Sequence, residues 1–218
     1  MFRPLTAFVL LAAVLTAQDP PPSTSLVEVP IAPNQTCPIM GKKVSLPLFV
    51  DTELGRIWVC CKPCYRKILA NVPKAHQTAY PVVAPVAVTT CPVSGEPIGE
   101  HAVEITLQGS RFSLCCAGCV DEARARSQVV LAKVLQPRLV DVGNATCPLR
   151  GTPVAANAFV VIDGHIVHLA DPKLVEAVRK EPAAVLAKAR ELAQAQPPRQ
   201  KHEHRPARAA DATGAEAR

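Results

Sequence analysis

The cysteines of this 218-residue chain follow one spacing pattern twice. In the first copy a cysteine is followed, after 22 residues, by a Cys-Cys-x-x-Cys cluster, and in the second copy the gap is 23 residues. Eight of the nine cysteines belong to these copies, which are Cys37, Cys60, Cys61 and Cys64, then Cys91, Cys115, Cys116 and Cys119. A repeated cysteine spacing of this kind favours small units that sulfur chemistry holds together.

Each copy opens on a Thr-Cys-Pro-x-x-Gly turn, and this turn occurs a third time. The three turns span residues 36–41, 90–95 and 146–151. The third copy has no cluster after Cys147, because Ala170 and Leu174 stand where the second and third ligands would be. Only eight of the 218 residues are aromatic, so one large core is disfavoured, and the repeat predicts three small units in series.

A β-hairpin pattern separates the turn from the cluster in each copy. The clearest hairpin has strands at 159–162 and 165–169 around an Asp163-Gly164 pair, which is typical of a type I′ turn. Similar patterns occupy 101–114 and, less regularly, 46–59. A helical pattern follows each hairpin, so we predict an α+β fold of three tandem modules, each a cysteine turn, a β-hairpin and a helix.

Proline-rich joints separate the three modules and favour extended connectors. The last residues of the chain carry no apolar period and predict a disordered tail. The predicted boundaries are 18–35 for a flexible leader, 36–80, 81–135 and 136–195 for the three modules, and 196–218 for the tail.

The first 17 residues have the anatomy of a signal peptide. Arg3 precedes an apolar run from Leu5 to Leu15, and small residues end at Ala17. The run is short for a permanent membrane span, so we expect no stable membrane insertion once the peptide is cleaved. An uncleaved anchor is the alternative. The sequence therefore predicts a periplasmic or secreted protein, in an oxidising compartment.

Charge and motifs argue against several classes of function. The formal net charge is +6, without a dense basic run or base-stacking aromatic residues, so we expect no nucleic-acid partner. The chain also lacks a nucleophile elbow, a phosphate-binding loop and a carboxylate pair in a catalytic motif. We therefore expect a protein that is not an enzyme.

The cysteine pattern suits the binding of a thiophilic metal ion. Thiols at a helix N-terminus lose their protons more easily, and the thiolate is the form that binds metal. Sulfur ligands select Zn²⁺, Cu⁺ or a similar ion. Neighbouring residues of a strand point to opposite faces, which makes Cys61 and Cys116 less certain ligands than the other cysteines of their copies. The expected trios are Cys37, Cys60 and Cys64, and Cys91, Cys115 and Cys119.

The Cys-Pro-x-x-Gly turn, the spacing C-x22-C-x3-C and the clusters IWVCCKPC and FSLCCAGC resemble the TRASH and YHS group of heavy-metal-binding domains. The resemblance covers roughly residues 36–190. It implies treble-clef-like zinc-finger modules, with a role in metal sensing, trafficking or resistance. On this basis we expect an exported protein that binds, buffers or delivers a metal ion, with a metal transporter or another exported protein as a partner.

Three other interpretations stay open. In the first, a bound metal ion has a purely structural role and stabilises a small interaction scaffold. In the second, disulfide bonds stabilise the scaffold in place of the metal. The pairs Cys61-x-x-Cys64 and Cys116-x-x-Cys119 also match the motif of a thiol-disulfide oxidoreductase, although no βαβ pattern of adequate length surrounds them.

The third module has to be stable without a cluster of sulfur atoms. We expect it to depend on packing among Phe159, Val160, Ile162, Leu169, Leu174 and Val178, or on contact with its neighbour. His165 and His168 lie on opposite faces of one strand, so joint chelation with Cys147 is not expected. Cys147 is then a free thiol or an intermolecular partner.

Overall fold

Three antiparallel hairpins organise the structure, a computed structural model that describes residues 25–27, 29 and 31–196. The strands are β1 (Leu26–Val27), β2 (Phe49–Thr52), β3 (Gly55–Trp58), β4 (Ala84–Pro85), β5 (Val103–Leu107), β6 (Ser110–Leu114), β7 (Val140–Asp141), β8 (Phe159–Ile162) and β9 (His165–His168). The helices are α1 (Cys64–Ala70), α2 (Val72–Ala79), α3 (Val120–Ala125), α4 (Ser127–Leu135), α5 (Val175–Val178) and α6 (Pro182–Gln194). The predicted mixed α+β fold is confirmed.

The hairpin turns take the conformation that their residues favour. Asp163 and Gly164 both have positive φ, at 47° and 75°, as a type I′ turn requires. Gln108 and Gly109 do the same at 48° and 76° between β5 and β6. The twist of such a turn matches that of the strands, which gives the β8–β9 register of Phe159 opposite His168.

One turn geometry recurs at all three Thr-Cys-Pro-x-x-Gly segments. The N–H of the cysteine donates to the C=O five residues later, at 2.7–2.8 Å, and the glycine N–H donates back to the cysteine C=O at 2.8 Å. Gly41, Gly95 and Gly151 have φ of 66°, 78° and 66°, a region that glycine adopts without strain. The turn therefore presents each cysteine side chain in the same way relative to its backbone.

Two helical segments follow each hairpin, where the sequence predicts one. In the first unit the chain breaks at Asn71, whose side chain accepts from Lys74 N and caps α2. Pro73 in the first turn of α2 has no N–H with which to continue α1. Pro182 opens α6 in the same way, while α3 and α4 meet at Arg126.

Each segment between two units forms a short strand in the sheet of the unit that follows it. β4 pairs in parallel with β6, and β7 pairs in parallel with β9. β1 pairs antiparallel with β8, so Leu26–Val27 forms a strand within the stretch expected to be a flexible leader. The predicted extended connectors are thus edge strands, which cover the hairpins on their open sides.

Each unit has an apolar cluster of its own, and contacts join neighbouring units. In the third, Val160, Ile162, Leu169 and Val178 are buried and Leu174 is partly buried, as the sequence predicted, whereas Phe159 is partly buried against a separate cluster. Val129 of α4 packs against Val161 and Ile166, so the third unit also rests on its neighbour. Arg56 N donates to Gln108 Oε1 and Gln108 N to Leu54 O, which joins the first unit to the second.

Two predicted segments fall outside the described residues. These are the signal peptide at 1–17 and, apart from Gln196, the tail at 196–218. In the part of the chain that the structure describes, no helix has the length and apolar character needed to span a membrane.

Candidate metal centres

The turn at residues 36–41 surrounds the Cys37 sulfur with backbone N–H groups. Burial raises the pKa of this thiol, but hydrogen bonds from the backbone N–H groups of Cys60, Ile39 and Met40 outweigh it and lower the pKa to about 7. Cys91 is placed in the same way, and N–H groups of Ser94 and Cys115 lower its pKa despite burial. The first cysteine of each centre therefore loses its proton more readily than an ordinary thiol.

The Cys-Cys-x-x-Cys cluster brings three more sulfur atoms together at the end of the hairpin. Cys60 Sγ lies 3.7 Å from Cys61 Sγ and 4.0 Å from Cys64 Sγ, and Cys61 Sγ lies 3.5 Å from Cys64 Sγ. β3 ends at Trp58, so the chain has left the strand before it reaches the two adjacent cysteines. Their sulfur atoms lie close together, whereas neighbouring side chains of a regular strand point to opposite faces.

Three sulfur atoms in each copy form a group that could hold a metal ion. Cys37, Cys60 and Cys64 have all their sulfur atoms within 4.8 Å of one another. Cys61 stays outside this group but lies close to two of its members. These are the three cysteines that the sequence favours, with Cys61 as the less certain fourth.

The second copy repeats this arrangement, with Cys91, Cys115 and Cys119 as the group within 4.8 Å. The separations from Cys116 Sγ are 3.8 Å to Cys115 and 3.9 Å to Cys119, and Cys115 and Cys119 are 3.6 Å apart. Ser94 Oγ lies 3.3 Å from the Cys115 sulfur, a contact that the sequence did not predict.

The spacing of the sulfur atoms fits a thiophilic ion. A Zn–S bond of about 2.3 Å implies about 3.8 Å between two sulfur atoms of a tetrahedral site. The separations within the two Cys-Cys-x-x-Cys clusters run from 3.5 to 4.0 Å. The donor set is sulfur throughout, which favours Zn²⁺ or Cu⁺ over Mg²⁺ or Ca²⁺.

The crowding of thiols explains why a cation suits both centres. Burial and the neighbouring thiols raise the pKa of Cys64, and burial with the charge of Cys91 raises that of Cys119. Burial likewise raises the pKa of Cys60 and Cys115, while hydrogen bonds from Cys64 and Cys60 lower that of Cys61. Several thiolates in one small volume repel one another, and a bound cation removes that penalty.

The third unit has no such group among the described residues. Cys147 is fully buried in the apolar cluster of that unit, where it packs as a small hydrophobic residue. A fully buried thiol is not accessible to another chain, which argues against the expectation that Cys147 bonds to a partner molecule. His165 and His168 lie on opposite faces of β9, as predicted: His165 Nε2 is 3.0 Å from Arg190 Nη2, and His168 is buried next to Asp141.

Sequence reasoning missed two sets of positioning residues. Asn34 bonds to Thr36 O, Trp58 O and Trp58 N, which ties the turn to the end of β3, and Asn144 makes the equivalent bonds in the third unit. An asparagine three residues before the turn cysteine, present in two copies, is the signal that could have revealed them.

The second missed set joins the second unit to the third. His168 Nε2 lies 2.7 Å from Asp141 Oδ1, and Arg126 Nη2 lies 3.0 Å from the same nitrogen and 3.5 Å from Asp141 Oδ2. Arg126 also pairs with Glu122 at 3.1 Å. These side chains are far apart in the sequence, which therefore carries no local signal of their contact.

Comparisons of this chain with protein-family models, with curated proteins and with solved structures return no match. What the two centres do chemically therefore has to follow from their own residues.

Proposed function

We propose that the chain is an exported metal-binding protein, which binds a thiophilic ion in each of two cysteine centres and buffers or delivers it. The observation that carries the proposal is the pair of cysteine groups, each with its sulfur atoms within 4.8 Å of one another. The sulfur-only donor set supports Zn²⁺ or Cu⁺ as the ion. The resemblance to TRASH and YHS domains agrees with this role, and membership of that group stays a prediction.

A competition titration tests metal handling. Purified protein loaded with Zn²⁺ is mixed with increasing concentrations of a chromophoric chelator of known affinity, under reducing conditions. Handling predicts two ions per chain, at least one of which the chelator removes while the fold persists. Two ions that leave only when the protein unfolds would instead support a purely structural role for the metal.

Export is a separate part of the proposal and has its own test. The apolar run up to Ala17 supports cleavage near Gln18. Expression of the full chain in a bacterium, followed by fractionation and N-terminal sequencing, should find the shortened protein outside the cytoplasm. An intact N-terminus in the membrane fraction would favour an uncleaved anchor.

A thiol-disulfide oxidoreductase is the second candidate, because Cys61 and Cys64 have sulfur atoms 3.5 Å apart in a Cys-x-x-Cys motif. All nine cysteines are free thiols in the structure. Turnover in an insulin-reduction assay, lost in Cys61→Ser, would support this candidate against metal handling.

A further inference from the structure

The two cysteine centres differ in their access to solvent. In the first, Cys60 and Cys61 are partly exposed, while Cys37 and Cys64 are buried. In the second, all four cysteines are buried, each with 4% or less of its surface exposed. A thiol of another protein can therefore approach sulfur atoms of the first centre more readily than those of the second.

One position of the turn contributes to this difference. Ser94, three residues after Cys91, places its hydroxyl 3.3 Å from the sulfur of Cys115. Met40 holds the same position after Cys37, and half of its surface is exposed. The second centre thus has a side chain packed against it where the first has a surface thioether.

Equivalent positions around the two centres carry opposite charges. Lys42 and Glu96 occupy the same place, because the C=O of each accepts the N–H of its turn cysteine at 2.7 Å. Two residues after the last cysteine of each cluster stand Arg66 and Asp121. The residues next to the two centres therefore differ in charge, although the sulfur groups of the centres are alike.

The first centre lies in a basic surface. Residues 36–80 contain seven Lys and Arg against two Asp and Glu, whereas residues 81–135 contain four against five. No carboxylate within the described ranges pairs with the exposed basic side chains next to the first centre, which are Lys42, Lys43, Lys62, Arg66 and Lys67. Unpaired charge of one sign speeds the encounter with a partner of the opposite sign.

We infer that the first centre is the exchange site, which passes its ion to an acidic protein that carries thiols, and that the second centre keeps its ion and stabilises the fold. The inference rests on the proposed function, because it requires both centres to bind metal. It adds a division of tasks between the centres and the chemistry of the partner.

The transfer replaces the sulfur ligands of the centre one at a time by sulfur ligands of the acceptor and moves no electrons. A thiolate of the acceptor first forms a bond to the ion as the bond from Cys60 breaks, because Cys60 is the partly exposed member of the group, and further acceptor thiolates then replace Cys37 and Cys64 in the same way. The departing cysteine takes up the proton that the acceptor thiol has lost, and the oxidation state of the ion is unchanged.

The test follows zinc as it leaves the full-length protein for a synthetic dithiol peptide. Two peptides share one Cys-x-x-Cys core, flanked by glutamates in one and by lysines in the other. Zinc on the protein is measured after rapid gel filtration, and alkylation with N-ethylmaleimide followed by mass spectrometry identifies the freed cysteines. One ion should leave quickly for the acidic peptide and free the cysteines of the first centre, with the basic peptide about 10-fold slower.

The chain itself supplies the matched variant. Lys42→Glu with Arg66→Asp gives the first centre acidic residues where the second centre has them, and should slow transfer to the acidic peptide about 10-fold while both ions still bind. Arg150→Glu with Lys173→Glu makes the same change in charge on exposed residues of the third unit, and should leave the rate unaltered.

Each other outcome identifies what has failed. Release of both ions at one rate, first release from the second centre, or equal rates for the two peptides would overturn the inference and leave the proposed function intact. A purified protein that binds no zinc would overturn both.

Discussion

Asp141 bonds to His168 within the third unit and lies near Arg126 of the second, and Asp141→Asn tests how much this cluster of side chains stabilises the fold. The carboxylate accepts a 2.7 Å hydrogen bond from His168, whose side chain is 1% exposed, and lies 3.5 Å from the guanidinium of Arg126. Removal of one partner from a buried charged pair costs about 3–5 kcal/mol. Arg126 keeps Glu122 as a partner, so we expect the lower end, about 3 kcal/mol.

The same substitution has a defined pH dependence. Burial raises the pKa of Asp141, but the hydrogen bond and charge of His168, together with the charge of Arg126, hold it well below its usual range. A lowered native pKa stabilises the fold above the unfolded value of about 3.9 and ceases to do so as the pH falls through the native value. The part of the difference in unfolding free energy that comes from the titration of Asp141 should be complete above about pH 5 and shrink below about pH 4.

Urea unfolding of both proteins from neutral to acid pH measures this difference. A cost of about 3 kcal/mol corresponds to a fall in Tm of about 6–12 °C for a chain of this size. Glu191→Gln is the matched control, because its ion pair with Lys188 joins two exposed side chains and is worth about 0–1 kcal/mol. A difference below about 1 kcal/mol at neutral pH, or one that does not shrink below about pH 4, would contradict this role of Asp141.

Four further substitutions separate the stability of the fold from metal binding. Asn34→Ala removes two buried hydrogen bonds and a partly buried one, so it should cost about 2 kcal/mol and weaken zinc binding at the first centre about 10-fold by chelator competition. Asn144→Ala should cost as much stability with no change in zinc affinity. Leu169→Ala should cost about 3 kcal/mol in urea unfolding, because this side chain is fully buried, and both ions should remain bound. Gly41→Ala meets no atom within 4 Å, so only its φ of +66° opposes it, and zinc affinity should fall less than 10-fold.

The local features of the fold could be predicted because each has a short-range cause. The Asp163-Gly164 pair specifies a type I′ turn, and the structure has it. Asp171 caps the helical turn that begins at Pro172, and an Asp-Pro pair is a common local signal for the start of a helix. The spacing of the cysteines likewise predicted the two groups that the structure brings together.

The features that sequence reasoning missed depend on tertiary contacts or on the residue at which an element ends. Cys60 and Cys61 follow the end of β3 at Trp58 and have sulfur atoms 3.7 Å apart, and a spacing pattern contains neither that boundary nor that distance. The pairing of Leu26–Val27 with β8 joins residues more than 130 positions apart. Arg126, Asp141 and His168 meet for the same reason, through the packing of one unit on another.

The metal content of purified protein, measured together with its free thiols, is the most direct test of the central claim. We expect two ions in the wild type, one in Cys37→Ser and one in Cys91→Ser, with the cluster thiols protected from alkylation until the metal is removed. A wild-type protein with no metal and with its cluster cysteines in disulfides would contradict it. Loss of both ions from either single substitution would contradict the independence of the two centres.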